Sequence, residues 1–246
     1  MPIAACNGLQ LYYTVHGSGE PLLLLHGFGG AAVDWAALAA EWAADFRVIV
    51  PDLRGHGRST NPASRFRHDA AAGDILALLD HLEVPGCKGL GVSAGGNVLL
   101  HMATRCPERV KAMVLVSATT HFPEQARPIM RSYRIELLPE EEKEKMRLRH
   151  PGGPAQIDRL FEQARAFADS YDDLNFTPHD LAKITARTLI VQGDSDAFYP
   201  VQISEEMAAA IPNAELWIVP GGGHGPIGGE RWAGFVKRAG EFLRKP

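Results

Sequence analysis

The sequence predicts an α/β fold, in which a mostly parallel sheet is covered by helices on both faces. Short, wholly apolar runs such as Leu22–Leu25 are typical of strands that are buried on both sides. These runs alternate with segments whose apolar residues have helical spacing. The alternation stops after Ser117 and resumes about 60 residues later, which indicates a helical segment inserted between two strands of one sheet.

The predicted elements begin with an antiparallel hairpin over residues 2–16, because both residues of the Asn7-Gly8 loop accept positive φ. Strands are then expected at Leu22–Leu25, Arg47–Val50, Lys88–Val92, Val110–Val116, Thr188–Gln192 and Ala214–Val219. Helices are expected at 34–44, 67–82, 94–105, 201–210 and 230–244. Each strand from Leu22 onward is therefore followed by a helix or by the insertion.

The chain of 246 residues is predicted to hold one sheet domain and one insertion. Residues 1–120 and 183–246 form the sheet domain in this prediction, and residues 121–182 form a helical cap. The cap contains at least two polar helices, near 124–148 and 156–170. Such an insertion usually packs over the carboxyl ends of the strands, where ligands bind in α/β folds.

Composition excludes several classes of protein. With 25 Lys and Arg against 29 Asp and Glu, the net charge of −4 offers no basic footprint for nucleic acid. No apolar run approaches the roughly 18 residues of a membrane span, and no secretory signal is visible at the N-terminus. The three cysteines include no C-x-x-C pair, which favours a reduced, cytoplasmic protein. A small-molecule substrate is expected as partner, and the oligomeric state stays open.

The 25 glycines support two different hypotheses about the site. The first is a dinucleotide fingerprint, G-x-G-x-x-G/A, at Gly27–Ala32 after a strand. Asp52 follows Gly27 by 25 residues, close to where an acid that binds ribose belongs. This pattern predicts a nicotinamide-dependent oxidoreductase.

The second hypothesis is a nucleophile elbow, G-x-S-x-G, at Gly91–Gly95. Ser93 would occupy a sharp turn from strand to helix, where the flanking residues approach other backbone and must be small. A serine nucleophile needs a base and an orienting acid. His224 lies in a glycine-rich loop after a late strand, and Asp194 and Asp196 follow the preceding strand. The residues alone leave the two aspartates open.

These motifs resemble the α/β-hydrolase superfamily, and the resemblance covers nearly the whole chain, most weakly in the cap. Besides the elbow, the matching segments are His26–Gly30 (oxyanion loop), Asp52–Ser59 (D-x-x-G-x-G-x-S), Gly193–Asp196 with Pro200 (acid loop) and Gly223-His224 (histidine loop). The resemblance reassigns Asp52 from ribose ligand to loop scaffold. It also favours Asp196 over Asp194 as the acid.

The resemblance implies a serine hydrolase with Ser93 as nucleophile, His224 as base and Asp196 as orienting acid. It implies an oxyanion hole made of the backbone amides of Phe28 and Ala94. Substrate contacts are expected from aromatic side chains, namely Phe28, Trp35, Phe122 and Phe198, with Phe161, Phe167 and Tyr199 as further candidates. No metal is expected, because no H-E-x-x-H or zinc-ligand spacing occurs, and no cofactor is expected either.

The predicted function is cleavage of a small carboxylic ester or lactone, similar to bacterial carboxylesterases and enol-lactone hydrolases. Within the same fold, the alternatives are a C–C bond hydrolase and a perhydrolase. A ligand receptor with a nearly silent triad is an alternative from another class. The identity of the substrate depends on cap side chains whose placement the sequence does not give.

Overall fold

The computed structural model describes residues 2–63 and 65–245. Its strands are β1 (Ile3–Cys6), β2 (Leu9–His16), β3 (Glu20–Leu25), β4 (Phe46–Pro51), β5 (Cys87–Val92), β6 (Val110–Val116), β7 (Arg187–Gly193) and β8 (Ala214–Val219). Its α-helices are α1 (Ala36–Trp42), α2 (His68–His81), α3 (Ala94–Arg105), α4 (Ala126–Arg131), α5 (Glu140–Arg149), α6 (Pro154–Ala166), α7 (Pro178–Leu181), α8 (Val201–Ala210) and α9 (Trp232–Arg244). Among these residues, no helix is long and apolar enough to cross a membrane.

The eight strands form one sheet in the order β1-β2-β4-β3-β5-β6-β7-β8. Strand β2 is antiparallel to both of its neighbours, and every other pairing in the sheet is parallel. The predicted mostly parallel sheet is therefore confirmed. The predicted hairpin is confirmed as well, since Asn7 has φ 48° and Gly8 has φ 77° in the loop that joins β1 to β2.

Helices cover both faces of the sheet, as the sequence predicted. In β3, Leu23 and Leu25 point into the core cluster shared with α2, α3 and α8, whereas Leu22 and Leu24 point into the cluster shared with α1 and α9. This alternation follows from the two-residue period of a strand. All four leucines are fully buried, which explains why the strand reads as an unbroken apolar run.

The helices between β6 and β7 differ from the prediction in one respect. The helix expected near 124–148 is two helices, α4 and α5, separated by a short 3₁₀ turn at Ile135–Leu137. Pro139 sets the boundary between this turn and α5, because a proline disfavours helical backbone in the residue before it. Leu138 accordingly has an extended conformation, with φ −74° and ψ 145°. The second expected helix corresponds to α6 and the 3₁₀ turn that follows it.

The candidate site residues follow the carboxyl ends of strands. Ser93 follows β5, Asp196 lies in the loop after β7, and His224 lies in the loop after β8. Because β5, β7 and β8 run parallel in one sheet, these loops emerge at the same edge. Open α/β sheets bind their ligands at this edge.

Candidate active site

Ser93 occupies the sharp turn between the end of β5 and the start of α3. Its backbone has φ 50° and ψ −113°, a conformation that residues other than glycine rarely adopt. The Ser93 amide donates to the carbonyl oxygen of Val116 at 2.7 Å, which holds the turn against the neighbouring strand. Backbone strain that the surroundings impose is a common feature of functional sites.

Two glycines make this turn sterically possible. A Cβ atom on Gly91 would collide with the backbone of Gly95, and a Cβ atom on Gly95 would collide with the carbonyl oxygen of Leu25. Strand β5 and helix α3 can therefore meet at this angle only if both positions lack a side chain. This is the physical basis of the G-x-S-x-G spacing.

His224 lies between the serine and a carboxylate. Its Nε2 atom is 2.9 Å from Ser93 Oγ, and its Nδ1 atom is 2.9 Å from Asp196 Oδ2. An ionised carboxylate only accepts hydrogen bonds, so Nδ1 carries the proton and Nε2 accepts from the serine hydroxyl. The structure thus brings three residues from three different loops into one chain of hydrogen bonds, in the arrangement of a nucleophile, a base and an orienting acid.

The Asp196 carboxylate is buried among hydrogen-bond donors. Its Oδ1 atom accepts from the amides of Phe198 at 2.8 Å and Tyr199 at 3.2 Å, and its Oδ2 atom also accepts from Gln192 Nε2 at 3.0 Å. Burial raises the pKa of Asp196, but the hydrogen bond and charge of His224 and the hydrogen bonds of the two amides lower the pKa by more than burial raises it. The pKa of Asp196 is consequently below its ordinary value, and the carboxylate is ionised at neutral pH.

Asp194, the other candidate acid, does not contact the histidine ring. Its carboxylate accepts from the Ser195 hydroxyl at 3.0 Å and from the Gly221 amide at 2.8 Å. Asp194 therefore joins the acid loop to the loop that carries His224. The sequence pattern left open which of the two aspartates faces the histidine. In the structure it is Asp196, whose carboxylate contacts the imidazole.

Ser117, which sequence reasoning did not single out, supports the His224 loop. The Ser117 hydroxyl accepts from the amide of Gly225 at 3.0 Å. The rings of Phe198 and Tyr199 pack against His224 with centroids 4.8 and 5.2 Å away. No local motif marks Ser117 or Gln192, because each acts across more than one element of the fold.

The loop after β3 is held by histidine side chains. His26 Nε2 accepts from the Leu53 amide at 3.0 Å, so its Nδ1 carries the proton and donates to the Gly27 carbonyl at 2.8 Å. The Gly27 carbonyl and the Phe28 amide belong to one peptide unit and point in opposite directions. Anchoring the carbonyl therefore also sets the direction of the Phe28 amide. The Gly30 amide donates to the same carbonyl at 3.0 Å.

A second histidine, His150, directly follows α5 and holds the Gly29–Gly30 peptide of this loop. Its Nδ1 atom accepts from the Gly57 amide and its Nε2 atom donates to the Gly29 carbonyl, each at 3.0 Å. Burial lowers the pKa of His150 and the pKa of His26, so both rings are neutral at physiological pH and keep these single tautomers. Ala94, the other predicted oxyanion residue, is the first residue of α3, and its amide has no acceptor within the helix.

A cavity of about 410 Å³ opens over Ser93 and His224. Phe28, Phe122 and Phe198 line it, together with Phe161, Phe167 and Tyr199. Much of its wall comes from the segment between β6 and β7, through Phe122, Met130, Tyr133, Leu138, Met146, Arg149, Leu160, Phe161, Ala164 and Phe167. The cavity is therefore mostly apolar, with the Ser93 hydroxyl among its few polar groups.

Trp35 was expected to contact substrate, and the structure corrects this assignment. Trp35 is 5% exposed and packs in the core cluster on the face of the sheet that α1 and α9 cover, whereas the aromatic residues around the cavity belong to the opposite face. The residue is close to the oxyanion loop along the chain. A 3₁₀ turn at Ala32–Trp35 instead places its side chain on the face of the sheet that α1 and α9 cover.

Asp52 serves the loops around the site. One carboxylate oxygen accepts from the Ala32 amide at 2.6 Å and the other accepts from the Arg58 amide at 2.8 Å. Asp52 is buried, so a ribose hydroxyl would have to displace these amides. The dinucleotide hypothesis therefore loses the acid on which it depended. Within residues 2–63 and 65–245, no cluster of three or more His, Cys, Asp or Glu side chains could hold a metal ion.

Two protein-family models match the chain. The model described as alpha/beta hydrolase fold matches residues 20–141, and the model described as TAP-like protein matches residues 173–246. A 2-hydroxymuconate semialdehyde hydrolase from Pseudomonas putida is 30% identical over 231 residues, which cover 85% of this chain and 82% of that protein.

A second relative from Pseudomonas putida, the dihydrolipoyllysine-residue acetyltransferase component of an acetoin cleaving system, is 30% identical over 221 residues. The match covers 84% of this chain but only 59% of that longer protein. Among solved structures, an N-acyl homoserine lactone degrading enzyme is similar with a TM-score of 0.79 and 27% identity. That likeness covers 98% of this chain and all of the other.

Proposed function

The chain belongs to the alpha/beta hydrolase fold family, and from this premise we propose that it is a serine hydrolase that cleaves a small carboxylic ester or lactone. The fold that the motifs predicted is confirmed by the family match and by the similar solved structure. The observation that carries the proposal is the continuous hydrogen bonding from Ser93 Oγ through His224 to Asp196.

In the proposed reaction, Ser93 Oγ attacks the carbonyl carbon of the substrate while His224 Nε2 takes the hydroxyl proton. The buried Asp196 carboxylate keeps the proton of the ring on Nδ1 and stabilises the imidazolium that forms. The imidazolium then gives its proton to the leaving alcohol, and an acyl-enzyme remains. Water, activated by the same histidine, attacks the acyl-enzyme and releases the acid.

The backbone amides of Phe28 and Ala94 are assigned as the donors that stabilise the negatively charged oxygen of the tetrahedral intermediate. Preorganised amides of this kind typically contribute about 3 kcal/mol each to transition-state stabilisation. The anchoring of the Gly27 carbonyl by His26 supports this assignment, because it sets the direction of the Phe28 amide before substrate arrives. His150 holds the Gly29 carbonyl on the other side of Phe28.

A second candidate is cleavage of a C–C bond. The similarity to a 2-hydroxymuconate semialdehyde hydrolase favours it over the perhydrolase and receptor alternatives. Both reactions use a hydrolytic site with the same fold, and the wall of the cavity decides which substrate fits. The two candidates differ in the bond cleaved, so product analysis distinguishes them.

The test is labelling with a fluorophosphonate, followed by peptide mass mapping. We expect one adduct per chain, on Ser93, and hydrolysis of p-nitrophenyl esters with a preference for short acyl chains or of members of a lactone panel. The Ser93→Ala variant serves as the control and should neither label nor turn over. Labelling with very slow turnover of every ester, lactone and C–C substrate would favour the receptor, and an unlabelled Ser93 would overturn the proposal.

A further inference from the structure

A second histidine–aspartate pair lies at the same cavity, apart from the hydrogen bonds of Ser93. His68, the first residue of α2, lines the cavity, and its Nδ1 atom is 2.8 Å from Oδ2 of Asp173. The two side chains are 1% and 2% exposed. Because a carboxylate only accepts, Nδ1 carries the proton, and Nε2 is the ring nitrogen left for another partner.

Asp173 is held as an anion by several donors. The amides of His68 and Asp69, at the start of α2, donate to its two oxygens at 2.9 and 3.2 Å. Arg67 Nη2 is 3.9 Å from Oδ1. Burial raises the pKa of Asp173, but the hydrogen bonds from His68 and the amides hold the pKa well below its ordinary value. A fixed negative charge therefore lies behind the His68 ring and stabilises positive charge on it.

The free edge of the His68 ring belongs to the cavity wall. Asp173 does not line the cavity, so the ring turns Nδ1 away from it, and Nε2 has no hydrogen-bond partner in the part of the chain that the structure describes. Phe167 packs against His68 with a centroid distance of 5.3 Å and against Phe28 with one of 4.9 Å. His68 is therefore in the same aromatic wall as the oxyanion loop.

The charges around the cavity favour an anion over a cation. Among the described residues that line it, none is Asp or Glu. Arg149 is the one Arg or Lys among these lining residues, but its Nε atom already donates to Asp34 at 2.7 Å. A carboxylate that leaves water for an apolar cavity needs a donor and an opposite charge. The imidazolium form of His68 offers both.

We propose that His68 binds a carboxylate carried by the substrate, so that the preferred ester or lactone is an acidic one. This inference rests on the proposed hydrolase function and narrows its substrate class. The Nε2–H group of the imidazolium donates to the substrate carboxylate, while Asp173 accepts from Nδ1–H and keeps the ring oriented. His68 is thus a substrate-binding residue, and Asp173 is its positioning residue.

A pair that only ties the segment between β6 and β7 to α2 would have different consequences. His101 is such a tie, because its Nε2 atom donates to the Asp173 carbonyl at 2.8 Å and the residue does not line the cavity. Loss of such a tie should lower kcat/KM by a similar factor for every substrate. Loss of a carboxylate site should lower kcat/KM selectively for acidic substrates, by raising their KM.

The test compares three methyl esters of equal acyl length, namely methyl hexanoate, methyl 6-hydroxyhexanoate and monomethyl adipate. We expect the wild-type protein to have its highest kcat/KM for monomethyl adipate. In His68→Phe, the ratio of kcat/KM for monomethyl adipate to that for methyl hexanoate should fall by about 10- to 100-fold, as expected for loss of a hydrogen bond to a charged group.

Two further variants keep the result interpretable if His68→Phe folds poorly. His68→Gln retains a donor for Asp173 without the positive charge and should lose the same preference. His101→Phe, the matched control, removes the tie and should leave the ratio of the two kcat/KM values unchanged. Thermal unfolding of each variant reports its folding separately.

Four outcomes would overturn the inference. They are a wild-type enzyme without preference for monomethyl adipate, an equal preference for the hydroxy ester, an unchanged ratio in His68→Gln, and loss of the preference in Arg149→Met rather than in the His68 variants. In each of these cases Ser93 still reacts with the fluorophosphonate and methyl hexanoate is still cleaved. Failure of the hydrolase function itself is different, because the wild type would then neither label nor cleave any ester.

Discussion

The two histidine–aspartate pairs at the cavity are built alike and differ in what their free nitrogen meets. His224 Nε2 lies 2.9 Å from the Ser93 hydroxyl, and the side chain is 26% exposed. His68 is 1% exposed and is surrounded by aromatic rings without a nucleophile. The difference teaches that an aspartate-oriented imidazole can serve proton transfer or anion binding. The group that the free Nε2 atom meets determines which of the two roles the ring has.

The pairs also differ in how their carboxylates are anchored. Asp196 accepts from amides of its own loop, two and three residues further along. Asp173 accepts from amides at the start of α2, more than 100 residues away in the chain. The first anchor positions a loop at the reaction site, whereas the second joins two distant parts of the fold. We therefore expect the first pair to matter most for activity and the second also for stability.

The largest expected effect is on catalysis in Asp196→Asn. The amide side chain can no longer hold the correct tautomer of His224, and kcat should fall by about 10⁴-fold, while the protein still folds. Stopped assays with a p-nitrophenyl ester measure this loss. Asp194→Asn is the matched control and should nearly retain the wild-type kcat, since the Asp194 carboxylate accepts from Ser195 and Gly221 and does not contact His224. Equal losses in the two variants would contradict the assignment of the acid.

The counterpart in the other pair, Asp173→Asn, should act mainly on stability. Removing the charge leaves His68 and the first amides of α2 without their anion, and we expect the free energy of unfolding to fall by about 3 kcal/mol. Urea denaturation followed by tryptophan fluorescence measures it. The kcat for methyl hexanoate should fall far less than in Asp196→Asn. A stable Asp173→Asn protein would remove the distinction drawn between the pairs.

Between pH 8 and 5, acid should destabilise the protein through buried neutral histidines and through neither of the two pairs. Burial holds the pKa of His26 below its ordinary value and that of His56 well below it, so both rings stay neutral in the fold. The unfolded chain protonates them below about pH 6.5, and stability therefore decreases as the pH falls from there. The pKa values of Asp196 and Asp173 are lowered, so their contributions persist above the unfolded value of about 3.9 and are lost only at lower pH.

Urea unfolding at pH 8, 6.5 and 5 measures this decrease. His56→Gln should show a shallower decrease than the wild type, because one buried neutral histidine is gone. A free energy of unfolding that stays constant between pH 8 and 5 would contradict the neutral state of these rings.

The smallest expected effect is that of Ser117→Ala on the catalytic pair. The Gly225 amide loses its acceptor, and the loop that carries His224 loses about 1 kcal/mol of support. We expect kcat to fall by about fivefold with little change in KM. Ser195→Ala, in the acid loop but without contact to the His224 ring, is the control. A loss of equal size in the control would show that Ser117 has no special part.

Sequence patterns predicted the parts of the molecule that depend on local geometry. The elbow was visible because Gly91, Ser93 and Gly95 satisfy one steric requirement within five residues. His224 was visible because its loop follows a strand and is rich in glycine. Pro139 also indicated a helix boundary within residues 124–148, because the residue before a proline avoids helical backbone, but the prediction of one helix there did not use it.

The remaining features depend on contacts that no local pattern encodes. His68 and Asp173 are 105 residues apart, and neither stands in a motif. Trp35 was misassigned because closeness along the chain to the oxyanion loop says nothing about which face of the sheet a side chain enters. Gln192 lies in the apolar core of β7, and only the fold shows that its amide reaches Asp196.

The cavity wall that comes from the segment between β6 and β7 has a practical consequence for laboratory evolution. The wall residues of the segment between β6 and β7 are supplied by a different stretch of chain from the strand-end loops that carry Ser93, Asp196 and His224. A library restricted to Met130, Leu138, Leu160, Phe161 and Ala164 can therefore reshape the space for the acyl group while the reacting groups stay untouched. His150 must be left out of such a library, because it holds the Gly29 carbonyl of the oxyanion loop.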